Sequence, residues 1–223
     1  MNHTSLKKFA LVLLSIMVVV LIVLAIAVHY HNVFNTDIFL SKDLQSEGDT
    51  QQKQTLIYQI LYYVSLFGKP VISAIMVAII ALMFWVYGYF RETVYTLLTP
   101  LAVAANTLLK LIINRPRPSA QFVQILADET TQSFPSGHVV FYTVFFGFLF
   151  TALFFTKKIS TTIRYVLQVL SIILIISISF SRVYLGVHWV TDTIGGYLFG
   201  GIFLMVMLYI YLKAKNIKVG LKL

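Results

Sequence analysis

The amino-acid sequence predicts an all-α protein: a polytopic membrane helix bundle of about six transmembrane helices, forming a single domain over residues 1–223. Hydrophobic residues make up 59% of the 223 residues and charged residues only 11%, whereas roughly a quarter of the residues in a soluble domain are charged. The apolar residues also form long runs with few charges. Such runs are typical of helices that cross a bilayer.

Six apolar runs are each about long enough to cross a hydrocarbon core of roughly 30 Å at 1.5 Å per residue. The predicted spans are 9–28, 71–90, 93–113, 138–156, 163–181 and 193–212. Little more than Arg91 and Glu92 separates the second span from the third. These two spans are therefore expected to form a tight helical hairpin.

The first span has some features of a cleavable signal peptide. Lys7 and Lys8 precede it, and the small residues of the segment 25–27 resemble a cleavage site. Its apolar run is longer than the core of a usual signal peptide. We therefore expect a retained membrane anchor.

One long polar connection, residues 30–70, follows the first span. Within it, the segment from Thr55 to Phe67 (TLIYQILYYVSLF) is too short to cross a membrane and is rich in tyrosine. Tyrosine is favoured at the membrane interface. We expect a short interfacial helix here, in the first extracytoplasmic loop, and a packed loop segment is the alternative.

Basic residues alternate between the two ends of the predicted spans and accumulate at one end. Glu92 is the only acidic residue at that end. The basic residues there are Lys7, Lys8, Arg91, Lys157, Lys158, Arg164, Lys213, Lys215, Lys218 and Lys222. The positive-inside rule places this end of the spans in the cytoplasm. We therefore expect an integral protein of the cell membrane with both termini in the cytoplasm. Because topology explains the net charge of +9, that charge predicts no nucleic-acid partner.

Absent residues and motifs limit the possible chemistry. The chain has no cysteine, which excludes disulfides, thiolate metal sites and a cysteine nucleophile. It also contains no HExxH motif, P-loop or cluster of carboxylates. We therefore expect neither a metal site nor a cofactor.

The third span ends in a basic segment, KLIINRPRP, at residues 110–118. Lys110, Arg115 and Arg117 crowd the helix end, and the two prolines stop the helix. A basic helix end is often only an anchor whose long side chains reach the interface. This segment alone therefore does not indicate a binding site.

The fourth span begins with FPSGH, residues 134–138. Pro135, Ser136 and Gly137 form a plausible helix start, where free backbone N–H groups favour an anion. A simple helix cap is the alternative, with His138 as an interfacial histidine.

The segment SRVYLGVHWVTD, residues 181–192, joins the fifth and sixth spans. It places Arg182, His188 and Asp192 beside hydrocarbon, where ionisable groups usually mark a functional site. His188 and Asp192 are four residues apart, so on a helix they share a face. Asp192 could then hold one ring nitrogen of His188 and leave the other free.

The order of the spans brings all three segments to one end of the bundle. The chain leaves the membrane after Lys110, re-enters at His138, and emerges again at Arg182 after two more crossings. We therefore expect the segments to meet at the extracytoplasmic face. Basic side chains, two histidines, a carboxylate and a helix N-terminus in one place indicate a site that binds and transfers a phosphate group.

Together, these motifs resemble those of the type 2 phosphatidic acid phosphatase superfamily. The matching patterns are Lys-x6-Arg-Pro, Pro-Ser-Gly-His and Ser-Arg-x5-His-x3-Asp, and they correspond to Lys110, Arg117, Pro118, 135–138, Ser181, Arg182, His188 and Asp192. The six-span layout resembles that of the membrane-bound bacterial branch. Val139 departs from the pattern, because small or hydroxylated residues are usual at its position. Arg115 has no role in the pattern.

The resemblance implies a metal-independent phosphatase acting through a phosphohistidine. His188 would attack phosphorus, Asp192 would orient its ring, and His138 would act as the general acid and base. Phosphate would be bound by Lys110, Arg117, Ser136, Gly137 and Arg182.

A site at the membrane surface suits a lipid whose phosphate head group enters the site while its tails remain in the bilayer. Family members act on phosphatidic acid, phosphatidylglycerophosphate and undecaprenyl pyrophosphate, and the sequence does not separate these lipids. A phosphotransferase that uses an alcohol or lipid acceptor is one alternative. A non-catalytic binder or transporter of lipid phosphates is another. The sequence does not predict an oligomeric state.

Overall fold

The computed structural model describes residues 3–46 and 55–215. These residues form nine helices and no strands. The helices are α1 His3–Tyr30, α2 Asn35–Ser46, α3 Leu56–Leu66, α4 Pro70–Val86, α5 Phe90–Leu98, α6 Pro100–Ile113, α7 Gly137–Leu153, α8 Thr161–Tyr184 and α9 Val190–Ala214. The predicted all-α class is confirmed for this part of the chain.

Four described segments are long and apolar enough to cross a membrane. They are Lys7–Tyr30, Phe90–Ile113, Thr161–Tyr184 and Val190–Ala214. Helices α3 and α4 add a fifth if they form one span, although they are bent by 64° at the break between them. Helix α7 is apolar but only 17 residues long. The structure thus supports four or five spans by length and composition, and the count of six remains a prediction.

Helix α7 lies at the centre of the bundle. Most of its residues are buried, on every side of the helix, and it packs against α5, α6, α8 and α9. Its sequence is hydrophobic all round, as expected for a helix enclosed by neighbours. The first turn of α7 contains His138, so this packing also fixes the position of a predicted site residue.

Two glycines allow α9 to pack directly on α7. A Cβ added at Gly196 would lie 2.8 Å from the Val139 Cβ and 3.0 Å from the Ser136 carbonyl oxygen. At Gly200 it would lie 3.0 Å from the Thr143 Cβ. Small residues four apart let membrane helices approach closely. Here they bring the N-termini of α7 and α9 together.

The polar connection after α1 contains more structure than the sequence predicted. The segment from Thr55 to Phe67 contains helix α3, so the loop alternative is wrong. Helix α2 was not predicted. Helix α3 packs against α8, where the Ser181 hydroxyl donates a 2.6 Å hydrogen bond to the Leu61 carbonyl. The chain then turns at Gly68 into α4.

Helices α4 and α5 are joined by a tight turn at residues 87–89, because α4 ends at Val86 and α5 begins at Phe90. The sequence placed this turn at Arg91 and Glu92, which instead lie in the first turn of α5. Gly88 occupies the turn with a φ of 78°, a conformation that favours glycine. Two basic residues of this end have partners on neighbouring helices. Arg91 donates to the Ala214 carbonyl, and Lys215 pairs with buried Glu92. Lys218 and Lys222 lie outside the described residues.

We predict that Gly196→Ala destabilises the protein. The added methyl group would overlap a side chain and the backbone of α7, and overpacking of this kind costs about 1–3 kcal/mol. Thermal unfolding in detergent measures the effect. Gly201→Ala is the matched control, because its Cβ would meet only the flexible end of Met17. Equal melting temperatures for the two variants would contradict the assigned role of Gly196.

Candidate active site

The three segments predicted to form a site meet at one end of the bundle. The Ser136 N–H donates to the Asp192 carbonyl at 3.0 Å, which joins the starts of α7 and α9. The Arg117 guanidinium lies 3.3 Å from Nε2 of His188. The charges of Lys110, Arg117 and Arg182 act on both His138 and His188. The structure therefore brings together residues from all three predicted motifs.

His188 lies in the turn between α8 and α9 and is 1% exposed. Gly186 shapes this turn with a φ of 69°, and a Cβ there would lie 2.0 Å from the Gln124 carbonyl oxygen. The turn therefore requires glycine. It directs the His188 ring into the protein, between Arg117 and Asp192.

The pairing of His188 with Asp192 differs from the predicted geometry. His188 precedes α9 and Asp192 lies in its first turn, so the two residues do not share a helix face. Instead, Asp192 reaches back across the helix start and accepts a 2.8 Å hydrogen bond from the Trp189 N–H. The same oxygen, Oδ2, lies 3.4 Å from Nδ1 of His188. The predicted contact is present because Asp192 caps the helix.

The hydrogen-bond partners of the His188 ring indicate which of its two nitrogens carries the proton. Arg117 can only donate, so Nε2 of His188 faces it as an acceptor,. The proton then lies on Nδ1, which faces Asp192 Oδ2 and the Ser133 hydroxyl oxygen, each at 3.4 Å. Nε2 therefore carries the lone pair.

The His188 ring is held neutral. Burial lowers the pKa of His188 well below its usual 6.5, and the nearby cations Arg117, Lys110 and Arg182 lower it further,. A neutral imidazole with an available lone pair beside several cations is the form that a nucleophile for an anionic group requires.

Arg117 lies next to this nitrogen, and Lys110 adds a second positive charge to the site. Both cations are held mainly by backbone carbonyls and hydroxyls. Arg117 donates to the carbonyls of Thr131 and Val187, each at 2.5 Å. Lys110 donates to the carbonyls of Gln132 and Ser133, the latter at 3.3 Å. Carbonyls fix the direction of a cation without neutralising its charge. The positive field is therefore largely retained for an anion.

Arg182 is paired differently from the other two cations. It contacts the Ser65 hydroxyl on α3 and forms a 2.6 Å ion pair with Glu129, whose side chain is 26% exposed. Glu129 also lies 4.0 Å from Arg117. Its carboxylate therefore sits between two cations that the sequence assigned to phosphate. An anion bound at these two cations would compete with Glu129 for them.

Several buried polar atoms of the site have no hydrogen-bond partner within the described protein. They are Ser136 Oγ, His138 Nε2 and Arg182 Nε. Unpaired buried polar atoms are rare in proteins, and in an active site they are available to a ligand. The Ser136 hydroxyl does not cap α7, although Ser136 is its N-cap residue. It therefore remains available to bind an anion at the helix start.

His138 lies under the break between α3 and α4. A Cβ added at Gly68 would lie 2.1 Å from Cδ2 of the His138 ring. Glycine therefore allows the backbone to cover this histidine. On α6, one turn before Lys110, Asn106 donates a 3.3 Å hydrogen bond to the Pro135 carbonyl and so helps to hold the turn before His138.

Sequence reasoning missed several residues of this site. Arg115 received no role, yet it is fully buried and paired with Asp37 and Asp192. Glu129 and Ser133 belonged to no motif. The repeated Arg-Pro was the only available signal for Arg115. Val139, the departure from the family pattern, is fully buried at the contact with Gly196.

In the part of the chain that the structure describes, no group of three or more histidines, cysteines or acidic residues could hold a metal ion. The ionisable residues of the site are two histidines, the carboxylates of Asp192 and Glu129, and several cations.

The model of the PAP2 superfamily matches residues 91–216, more than half of the chain. This chain belongs to the PAP2 superfamily. The match contains all the motif residues of the site. It leaves out α1 to α4, including the α3 residue Ser65 that contacts Arg182.

Individual PAP2 proteins resemble the chain to different extents. Phosphatidylglycerophosphatase B of Bacillus subtilis is 37% identical over 99 residues, which are 43% of this chain and 45% of the relative. The match thus spans less than half the length of that curated protein.

Two solved structures share the fold. The crystal structure of a transmembrane PAP2-type phosphatidylglycerolphosphate phosphatase from Bacillus subtilis matches with a TM-score of 0.71 and 24% identity, covering 94% of this chain and 98% of that one. Aquifex aeolicus LpxE matches with a TM-score of 0.56 and 18% identity, covering 81% and 96%. These matches and the apolar helices show that this PAP2 chain is an integral membrane protein.

We predict that Glu129→Gln tightens the binding of inorganic phosphate about two- to tenfold, since a partly exposed ion pair is worth on the order of 1 kcal/mol. Removing the carboxylate frees Arg182 for the anion. Isothermal titration of the detergent-solubilised protein measures the dissociation constant. Asp128→Asn is the control, because this exposed neighbour forms no ion pair within the described residues. Weaker phosphate binding in Glu129→Gln would show that Glu129 supports Arg182 and does not compete with the ligand.

Proposed function

We propose that this PAP2 protein hydrolyses the phosphate ester or pyrophosphate of a membrane lipid through a phosphohistidine formed on His188. The observation that carries the proposal is the state of His188. Its ring is buried and neutral, with Nε2 3.3 Å from Arg117 and Nδ1 facing Asp192. A phosphate bound by Arg117 would therefore lie within reach of the lone pair on Nε2.

In the first step, Nε2 of His188 forms a bond to phosphorus while the bond from phosphorus to the leaving oxygen breaks. His138, which is protonated when the anionic substrate is bound, donates a proton to that oxygen. The phosphorylated ring keeps its proton on Nδ1 and becomes positively charged. Asp192 stabilises this charge. In the second step, His138 takes a proton from water, the water oxygen bonds to phosphorus, and His188 is released.

Cations and donors of the site would hold the phosphoryl oxygens through both steps. Lys110, Arg117 and Arg182 supply positive charge, and Ser136 and Gly137 supply donors at the start of α7. Preorganised donors of this kind stabilise the charge that shifts in the transition state. Because these side chains already supply the cations, the reaction requires no metal.

A groove supports a lipid as the substrate. It has a volume of about 640 Å³ and runs from the break between α3 and α4, along α6, to His138. Lys69, Glu129 and Thr131 line its polar part, and Val77 and Phe141 belong to its apolar part. The polar part suits a phosphate head group and the apolar part suits a hydrocarbon tail. Phosphatidic acid, phosphatidylglycerophosphate and undecaprenyl pyrophosphate all share this chemistry.

The proposed orientation places the site at the extracytoplasmic face of the cell membrane and both termini in the cytoplasm. Lys157, Lys158 and Lys215 lie at the end of the bundle opposite to His188, and the positive-inside rule places that end in the cytoplasm. Helix α7 then crosses as the central helix, and α4 crosses separately from α3. Together with the four long segments, these two helices give six spans.

We predict that the purified protein releases phosphate from at least one of these three lipids in detergent with excess chelator. His188→Ala should reduce turnover by at least about 1,000-fold, since loss of a nucleophile removes the whole covalent path. The affinity for inorganic phosphate should remain close to that of the wild type. Phosphate release and phosphate titration measure the two quantities. His31→Ala, at an exposed histidine outside the site, is the control.

Near-normal turnover in His188→Ala would rule out His188 as the nucleophile. Loss of turnover with chelator in the wild type would indicate a metal-dependent reaction. If the wild type binds the lipids but releases no phosphate, addition of an alcohol acceptor distinguishes a phosphotransferase from a non-catalytic binder or transporter.

A further inference from the structure

A buried chain of three charges lies behind His188. Arg115, from the segment after α6, stands between Asp37 in the first turn of α2 and Asp192 in the first turn of α9. The side chains of all three are at most 1% exposed. The Arg115 guanidinium donates to Asp192 Oδ1 at 2.6 Å and to Asp37 Oδ2 at 2.8 Å.

Further contacts leave Arg115 a single orientation. Its Nε donates a 2.9 Å hydrogen bond to the Asn32 carbonyl, and the guanidinium lies 5.7 Å from the centre of the Phe34 ring. The Thr191 hydroxyl bridges Arg115 and Asp37. It accepts a hydrogen bond from Arg115 and donates one to Asp37, each at 2.7 Å. A planar guanidinium suits such two-sided contacts, and lysine cannot reproduce them.

The two oxygens of Asp192 have different partners. Oδ1 accepts from Arg115, whereas Oδ2 faces Nδ1 of His188 and accepts from the Trp189 N–H and the Ser133 hydroxyl. Arg115 therefore fixes the rotation of the carboxylate and keeps Oδ2 directed at the histidine ring. This is a positioning contact, since Arg115 has no hydrogen bond to His188 in the described structure.

Asp37 also affects the charge that reaches His188. Arg115 paired with Asp192 alone would form a neutral pair. Because Arg115 divides its contacts between two carboxylates, the group of three retains a net charge of −1. That negative charge lies next to the ring that becomes positive when it is phosphorylated, where it stabilises the charged form.

We propose that Arg115 and Asp37 are positioning residues. They set the orientation of Asp192 and the net charge of the three-residue group beside His188, and in this way the reactivity of His188. This inference rests on the proposed function of His188 as the nucleophile. It separates the two arginines of the Arg-Pro repeat: Arg117 faces the phosphate and Arg115 faces the carboxylates. It also gives the first loop a role in the site, because Asp37 lies outside the family match at 91–216.

The test compares Arg115→Gln, Asp37→Asn and the double variant with the wild type, using a short-chain lipid phosphate in detergent. Both single variants should lower kcat by about 10- to 100-fold, the range found for residues that orient a metal-binding histidine or carboxylate, by analogy with Asp192 and His188 here. KM and the inhibition constant of inorganic phosphate should stay within about twofold, because only transition-state interactions change. Arg115→Lys should recover part of kcat.

Two further comparisons separate positioning from simple stabilisation. The double variant should be no slower than Arg115→Gln, since Asp37 acts through Arg115 and the two effects are not additive. Glu92→Gln neutralises a buried carboxylate at the opposite end of the bundle. It should lower the melting temperature without changing kcat. If Arg115→Gln does not fold, Thr191→Val removes one hydroxyl of the network and should give a smaller loss of kcat.

Unchanged kcat in folded Arg115 and Asp37 variants would overturn the proposal, as would losses in melting temperature alone. A rise in KM and in the phosphate inhibition constant at constant kcat would also overturn it, because Arg115 would then be a phosphate ligand. These outcomes require an active wild type. An inactive wild type would instead contradict the proposed function.

Discussion

Buried charge at the end of an apolar bundle is the constraint on which the rest of this structure depends. Burial of an unpaired ion is very costly, so every charged group there needs a partner. The carboxylates of Asp37 and Asp192 are paired through Arg115. Lys110 and Arg117 have mainly carbonyl and hydroxyl partners. Carbonyls orient these cations but do not neutralise them, and the site therefore stays positive and suited to a phosphate.

The helix packing serves the same site. Helices α7 and α9 approach closely at Gly196 and Gly200, which aligns their N-termini. One helix start contributes Ser136 and His138, and the other contributes Asp192. The turn before α9 places His188 between Asp192 and Arg117. A small error in the spacing of α7 and α9 would separate the proposed acid, His138, from the proposed nucleophile, His188. Tight packing would then have a chemical as well as a structural role.

The sequence predicted the all-α class, the four long apolar segments among its six predicted spans and the convergence of the three motifs, because apolar runs and chain direction determine which helix ends meet. The pairing of His188 with Asp192 was predicted, but on the wrong local structure, since spacing alone does not show where a helix begins. Arg115, Glu129 and Asp37 could not be assigned in advance. Their partners are far away in the sequence: Asp37, for instance, is 155 positions before Asp192, and only the tertiary structure brings them together.

In the proposed reaction the phosphoryl group passes through His188, and the decisive experiment is to trap this phosphohistidine. Phosphohistidine survives alkali, so the enzyme is mixed with a lipid labelled in its phosphate, quenched in alkali within one turnover, and digested into peptides. We expect label on the peptide that contains His188, and none in His188→Ala. Label on another residue, or rapid turnover with no labelled peptide, would contradict the proposed role of His188.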